Sequence, residues 1–342
     1  MQRLAFFDNA KVFFIFLVVF GHLIQPMQGD LISVDALYQW IYIFHIPGFV
    51  LMSGYFAKGR SDQSFLVKMM KKLLLPFLLF QVLYSIVPIL INTDPWYVAL
   101  YKPHWSLWFL LSLFCWHLLL IAFKHLSPIK GLMIAFSIGL GIGLVPFIGH
   151  EFSISRTFVF FPFFLMGYWM DQTLITYLKE MKFKVVAVLI LTILFVVSLV
   201  MPVIPDELLF GSASYSAMGI ESIGIIARLS LYALAILMVF SVLTLIPTKN
   251  YQITAMGPYT LYVYLLHGVI IQFVRELGLL RMNENLDVLA LAIIAGAIVM
   301  FLSSRYVLIF TQPIIEMNTV WAQKWLKTRS QQQMNYRNHQ ST

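Results

Sequence analysis

Charged side chains are the scarcest material in this sequence. Asp, Glu, Lys and Arg together make 11% of its 342 residues, and only 15 of them are acidic. A soluble domain carries roughly a quarter charged residues, so a chain this poor in charge has too little to cover a water-facing surface. Cysteine is rarer still. Cys115 stands alone, which excludes an internal disulfide and any site built on paired thiolates. No His-x-x-x-His or Glu-x-x-His pair occurs, so no metal is expected. Glycine-rich phosphate loops and Gly-x-Ser-x-Gly elbows are missing too. Gly139-Leu140-Gly141-Ile142-Gly143 lies in an apolar run and reads as helix packing.

What is present is hydrophobic: 60% of the residues, with a mean hydropathy of +0.84. Apolar segments fall at about 11–26, 38–57, 73–92, 106–123, 131–148, 157–171, 183–203, 222–246, 258–277 and 287–310. Most approach the 20 or so residues that a helix needs to cross about 30 Å of hydrocarbon. The runs are continuously apolar and do not alternate every second residue, which argues against a β-barrel. The expected fold is all-α, a polytopic membrane bundle of about ten transmembrane helices. The first run, Val12–Ile24, is followed by Gln25-Pro26-Met27-Gln28, not by a small-x-small cleavage site, so no cleaved leader is expected.

Lys and Arg set the orientation. With a cytoplasmic N-terminus, eighteen fall on the inner side, four (Lys102, Arg156, Arg275 and Arg281) on the outer side, and Arg228 within the eighth segment. This asymmetry predicts that both termini are cytoplasmic in a multi-pass protein; a bacterial plasma membrane is the expected location. The asymmetry also accounts for the net charge of +8, so no nucleic-acid partner is expected. Residues 1–316 read as one integral membrane domain, and 317–342 as a basic, glutamine-rich cytoplasmic tail. Oligomeric state is not legible.

A strongly polar side chain within a span is costly unless it is paired or faces a wet cavity, which makes it a functional candidate. Asp8, Lys11 and His22 form the best set. Eleven helical steps separate Lys11 from His22, which places them on one face about 16 Å apart along the axis. Asp8 is an i,i+3 partner for Lys11. An imidazole there, with an intrinsic pKa of about 6.5, suits a general base; the plainer reading is a snorkelling lysine and a packed histidine. His45 and His267 are further intramembrane imidazoles, each also explicable as a core hydrogen bond, and His117 reads as structural. Ser53-Gly54-Tyr55 offers small residues for close helix approach or ligand contact. Lys68, Lys71 and Lys72 fit inside-positive topology, but with Lys58 and Arg60 they also fit a cytosolic site for a phosphate-rich donor. Arg156, at the outer entrance of the sixth segment, has no topological explanation and is a candidate acceptor or structural ligand.

The order of these pieces resembles membrane-bound acyltransferase family 3, and within it the fucose 4-O-acetylase-like branch. Phe7-Asp8-Asn9-Ala10-Lys11 with His22 is similar to the family's basic residue, ten residues, histidine opening, with Lys in place of the commoner Arg. Tyr42 to Phe56, carrying His45 and Ser53-Gly54-Tyr55, resembles the branch's next segment. Lys71-Lys72-Leu73-Leu74-Leu75-Pro76, Trp105-Ser106-Leu107-Trp108, Arg156 with Phe161 to Tyr168, and Tyr262 to His267 continue the series. The acidic residue that other branches carry after the tryptophan motif is absent: Leu107–His117 holds no Asp or Glu. No catalytic carboxylate is assigned there.

The resemblance implies transfer of an acyl group, usually acetyl from acetyl-coenzyme A, to a hydroxyl of a sugar or cell-envelope component. The coenzyme acts as a substrate, and no bound cofactor is expected. The expected roles are His22 as base, Lys11 and Asp8 beside it in the machinery, and His45, Ser53, Tyr55, Lys71, Lys72, Trp108, Arg156 and His267 in substrate binding. The alternative is a proton-coupled transporter or exporter of an envelope precursor or small acid, which buried His and Lys also suit. Transporters often contain two related halves, and no such symmetry is visible here.

Overall fold

The computed structural model describes residues 5–59, 63–90, 101–276 and 285–315; Arg60, Arg281 and the tail from 317 lie outside them. The first apolar segment forms α1 (Ala5–Ile24), which runs into a 3-10 turn at Gln25–Met27. Next come α2 (Ile32–Phe56) and α3 (Gln63–Leu90). A single turn at Trp105–Leu107 leads into α4 (Trp108–Phe123), and α5 (Pro128–Gly141) follows. The middle of the chain forms α6 (Ile154–Trp169), α7 (Gln172–Leu178), α8 (Met181–Ser198), the short α9 (Asp206–Phe210) and α10 (Gly224–Leu245). A 3-10 stretch, Gln252–Tyr259, precedes α11 (Thr260–Glu276). The last two helices are α12 (Asn285–Leu302) and α13 (Arg305–Ile315).

Among the described residues, seven helices are long and apolar enough to cross a membrane, or up to nine if two bent pairs each make one span. The bends are 94° between α6 and α7 and 64° between α12 and α13. The remaining apolar segment is the shorter helix Pro128–Leu144. Within the described residues each of the ten apolar runs thus forms helix, but the sixth and tenth are broken and the fifth is short.

The sharper break has a local cause. Met170 is extended, and the Asp171 carboxylate accepts the Leu174 N–H (2.9 Å), starting a new helix in a new direction. Lys58 Nζ donates to the Met170 carbonyl at this corner. Just beyond α7, Lys179 Nζ donates to the Leu243 (2.5 Å), Thr244 (3.1 Å) and Ile246 carbonyls, closing the C-terminal end of α10. These lysines, which the sequence explains as topological, also satisfy backbone ends.

α1 is central, packed against α2, α11 and α12, and 14 of its 20 residues are buried. α8 is its opposite: Val185, Val188, Leu189 and Ile193 are each at least half exposed, an apolar outer face that suits lipid. The broadest helix contact joins α2 to α6. A Cβ on Gly54 would overlap the Phe164 carbonyl, and one on Gly167 would overlap that of Leu51. Backbone therefore lies on backbone, the approach that small residues permit between membrane helices.

Candidate functional site

Two cavities lie along α1, named outer and inner after the orientation expected from the distribution of Lys and Arg. The outer one, at the His22 end, encloses about 480 Å³ and is lined by His22 and Gln25 from the first helix and its turn, His45 from α2, Trp105 and Trp108 around the start of α4, and Arg156 from α6. The inner one, at the Lys11 end, encloses about 270 Å³ and is lined by Lys11, Ser53, Lys72 and His117 among apolar side chains. Phe49, Phe109 and Tyr264 line both, so these rings form the partition.

Lys11 and His22 thus face cavities on the same side of α1, as their spacing requires. His22 lies in the last turn of the helix and not at mid-span, because α1 already begins at Ala5. Its Nδ1 is 3.4 Å from Gln25 Oε1 and 3.5 Å from the Tyr42 hydroxyl. Gln25 Oε1 also accepts from Arg275 (3.3 Å), whose guanidinium donates to the His22 carbonyl at 2.6 Å. A carbonyl oxygen only accepts, so the Gln25 contact calls for a proton on Nδ1 and leaves the lone pair on Nε2. Trp105 packs against the imidazole with ring centres 4.2 Å apart. Gln25 therefore occupies the orienting place that a carboxylate fills in many catalytic pairs.

His45 is buried and its Nδ1 donates to the Ile41 carbonyl (2.9 Å), which by the same logic presents Nε2 as acceptor. His267 is fully buried behind Trp105, 5.6 Å from His22 ring to ring, with Nδ1 directed to the Val263 and Tyr264 carbonyls; it does not line the cavity. Arg156 is 9% exposed, and its guanidinium sits 5.1 Å from the Trp108 ring centre and 5.8 Å from that of Phe210. Phe210 comes from α9 in the long outer loop, which brings that loop into the cavity wall. At the rim, partial burial first, and then the charges of Arg156 and Lys102, hold His150 below its ordinary pKa. Burial raises the carboxyl of Asp206, which accepts from Tyr38 (3.2 Å) and Gln28 (3.4 Å).

At the inner end, Lys11 pairs with Asp8 at 2.7 Å and lies over the Phe56 ring. Asn9 between them is an anchor: its amide donates to the Pro247 (2.8 Å) and Lys249 (2.9 Å) carbonyls and its oxygen accepts from Thr254 (2.6 Å). Ser53 lines the cavity while donating to the Phe49 carbonyl (2.9 Å). Lys72 reaches the cavity; Lys71 is exposed and does not line it. Tyr55 stacks on Phe7 with ring centres 4.1 Å apart and lines neither cavity. Lys58 is drawn to the Met170 carbonyl and the Tyr55 ring. His117, read as structural, lines the inner cavity with Nδ1 on the Leu113 carbonyl.

Gln25, Tyr42 and Ser106 line the outer cavity and Arg275 contacts His22 and Gln25 behind it, and all four escape a residue-by-residue reading. Gln25 alone carried a usable signal, standing three residues after His22 on a helix. Among the described residues no group of three or more His, Cys, Asp or Glu is arranged to hold a metal ion.

The acyltransferase domain of membrane acyltransferase family 3 matches residues 4–305, nearly the whole chain. A curated relative, the nodulation protein NolL of Sinorhizobium fredii (strain NBRC 101917 / NGR234), is 26% identical over 189 residues, 49% of each chain. The chain therefore spans about half the length of that relative. No solved structure matches it.

Proposed function

We propose that this chain, which belongs to membrane acyltransferase family 3, moves an acetyl group from cytosolic acetyl-coenzyme A to a hydroxyl of a sugar or other envelope component. Membership makes it a membrane acyltransferase; donor, acceptor and base are our reading. The observation that carries this reading is the pair of cavities on one side of α1, meeting at Phe49, Phe109 and Tyr264. A donor entering from one face and an acceptor from the other can meet only across that partition.

Lys11 and Lys72 hold the donor's phosphates at the inner end, with Asp8 fixing Lys11. The acyl arm passes the aromatic partition towards His22, over the roughly 16 Å that eleven helical residues span. The acceptor occupies the outer cavity, its hydroxyl at His22 Nε2. As the hydroxyl oxygen attacks the thioester carbonyl, His22 takes its proton; the C–S bond breaks as the ester C–O bond forms, and His22 returns the proton to the departing thiolate. Gln25 holds the imidazole for this exchange. The Ser106 hydroxyl, buried at the cavity wall and unpartnered among the described residues, supplies a donor to the carbonyl oxygen.

Proteoliposomes with labelled acetyl-coenzyme A on one side and an envelope glycan on the other test this reading. Ester-bound label on the glycan is the expected result. Movement of unmodified solute without acetylation would establish the transporter alternative instead.

A further inference from the structure

We infer that the outer cavity selects an acceptor carrying a negative group, a carboxylate or phosphate on the sugar, and that Arg156 is the residue that holds it. The inference rests on the acceptor entering this cavity, and adds its chemical class.

The lining residues include Lys102, Arg156 and the imidazoles of His22, His45, His104 and His150, and no Asp or Glu. Arg156 is nine-tenths buried, yet among the described residues no carboxylate pairs with it and its Nε has no hydrogen-bond partner. Its one polar contact among the described residues is a guanidinium nitrogen 3.3 Å from His150 Nδ1. Trp108 and Phe210 flank it and supply part of the compensation through their π-faces. A buried guanidinium without a counter-charge is costly, and the fork of donors it presents is shaped for the two oxygens of a carboxylate or phosphate. Of the acids on this side, Asp206 is engaged by Tyr38 and Gln28, and Glu151 and Glu207 act on His150 without pairing with Arg156 among the described residues. Aromatic walls at Tyr42, Trp105 and Phe109 suit the apolar face of a sugar ring. A neutral sugar would leave the charge uncompensated; an acidic one completes it.

The test uses the full chain in lipid nanodiscs and reads thermal stabilisation against concentration for glucuronate, glucose 1-phosphate and methyl glucoside. Saturable stabilisation by at least one anionic sugar, none by methyl glucoside, and a midpoint at least tenfold weaker in Arg156→Gln are expected. Arg156→Lys keeps the charge but loses the fork, and should weaken the midpoint several-fold, which serves also if the glutamine variant fails to fold. Equal shifts from all three sugars, no saturable shift from either anion, or an unchanged midpoint in the variants would overturn the inference. The measurement needs no acyl transfer. If anionic sugars stabilise the protein while labelled acetyl reaches no hydroxyl, the acyl-transfer reading falls and the anion site stands; acetylation of charged and neutral glycans alike, without selective stabilisation, does the reverse.

Discussion

The outer cavity gathers imidazoles and a buried guanidinium around aromatic rings, whereas the inner one has walls such as Phe56, Phe65, Leu73 and Leu113 with Lys11 and Lys72 as its cations. Hydrogen bonding separates them further. Outer groups are oriented by named partners, as His22 is by Gln25 and His45 by the Ile41 carbonyl. Lys72, in contrast, is an exposed side chain on a flexible stem. Positioned imidazoles suit bond making, and an exposed ammonium such as that of Lys72, beside a Lys11 held by Asp8, suits holding a polyanion whose exact pose matters less. The difference fits the proposed division, with chemistry at one end and capture at the other.

Breaking the chemical end should have the largest effect. His22→Ala should lower the acetylation rate about 10²–10⁴-fold while the protein still inserts and purifies as a monodisperse species; an unchanged rate would remove His22 from the mechanism. Gln25→Ala should reduce kcat about tenfold with a smaller change in KM, because its chief loss is the hold on the imidazole. Gln25→Glu restores an acceptor and adds a negative charge, so the pH–rate profile should recover amplitude and move to higher pH. A purely structural role for Gln25 would leave that profile in place.

Opening the partition tests whether the two ends are separate compartments. Phe109→Ala should raise acceptor-independent hydrolysis of acetyl-coenzyme A several-fold, measured as free thiol, since water would reach the thioester. Damage at the capture end should be milder. Lys72→Gln should raise KM for the donor about three- to fivefold, with kcat unchanged and the difference shrinking as salt is added. The smallest effect concerns the rim. His150 in the folded protein has a pKa below its unfolded value of about 6.5. As pH falls through that value the unfolded chain takes up the proton first, so stability declines on acidification and levels off once the folded-state pKa is passed. His150→Gln should flatten that part of a melting-temperature profile against pH.

Much of this architecture is legible in the residues alone because lipid imposes one rule on every span. Each apolar run had to satisfy its own backbone, so each became helix. The Lys11 and His22 pair was legible for a similar reason: helical periodicity fixes a shared side without knowledge of the neighbours. What escaped depends on contacts between distant segments. Arg275, counted as an outer-loop charge, packs back onto the His22 carbonyl 253 positions away. Tyr55 sits in a stretch that resembles its family's pattern, yet its ring is spent on Phe7. The bend after Trp169 follows from a cap by Asp171, which hydropathy does not register. Arg228, within the eighth segment, turns inward to near-complete burial beside Tyr215.

The glycine seam between α2 and α6 has a mechanical consequence. α2 carries His45 and α6 carries Arg156, and at Gly54 and Gly167 the two backbones lie so close that no side chain fits between them. The seam thereby ties the helix bearing His45 to the helix bearing Arg156, two side chains that line the same cavity and that the proposed reaction would set around its acceptor. The passage proposed for an acyl arm would then widen by rotation of the Phe49 side chain on α2, or by movement of α4 and α11, which carry Phe109 and Tyr264, without opening the seam.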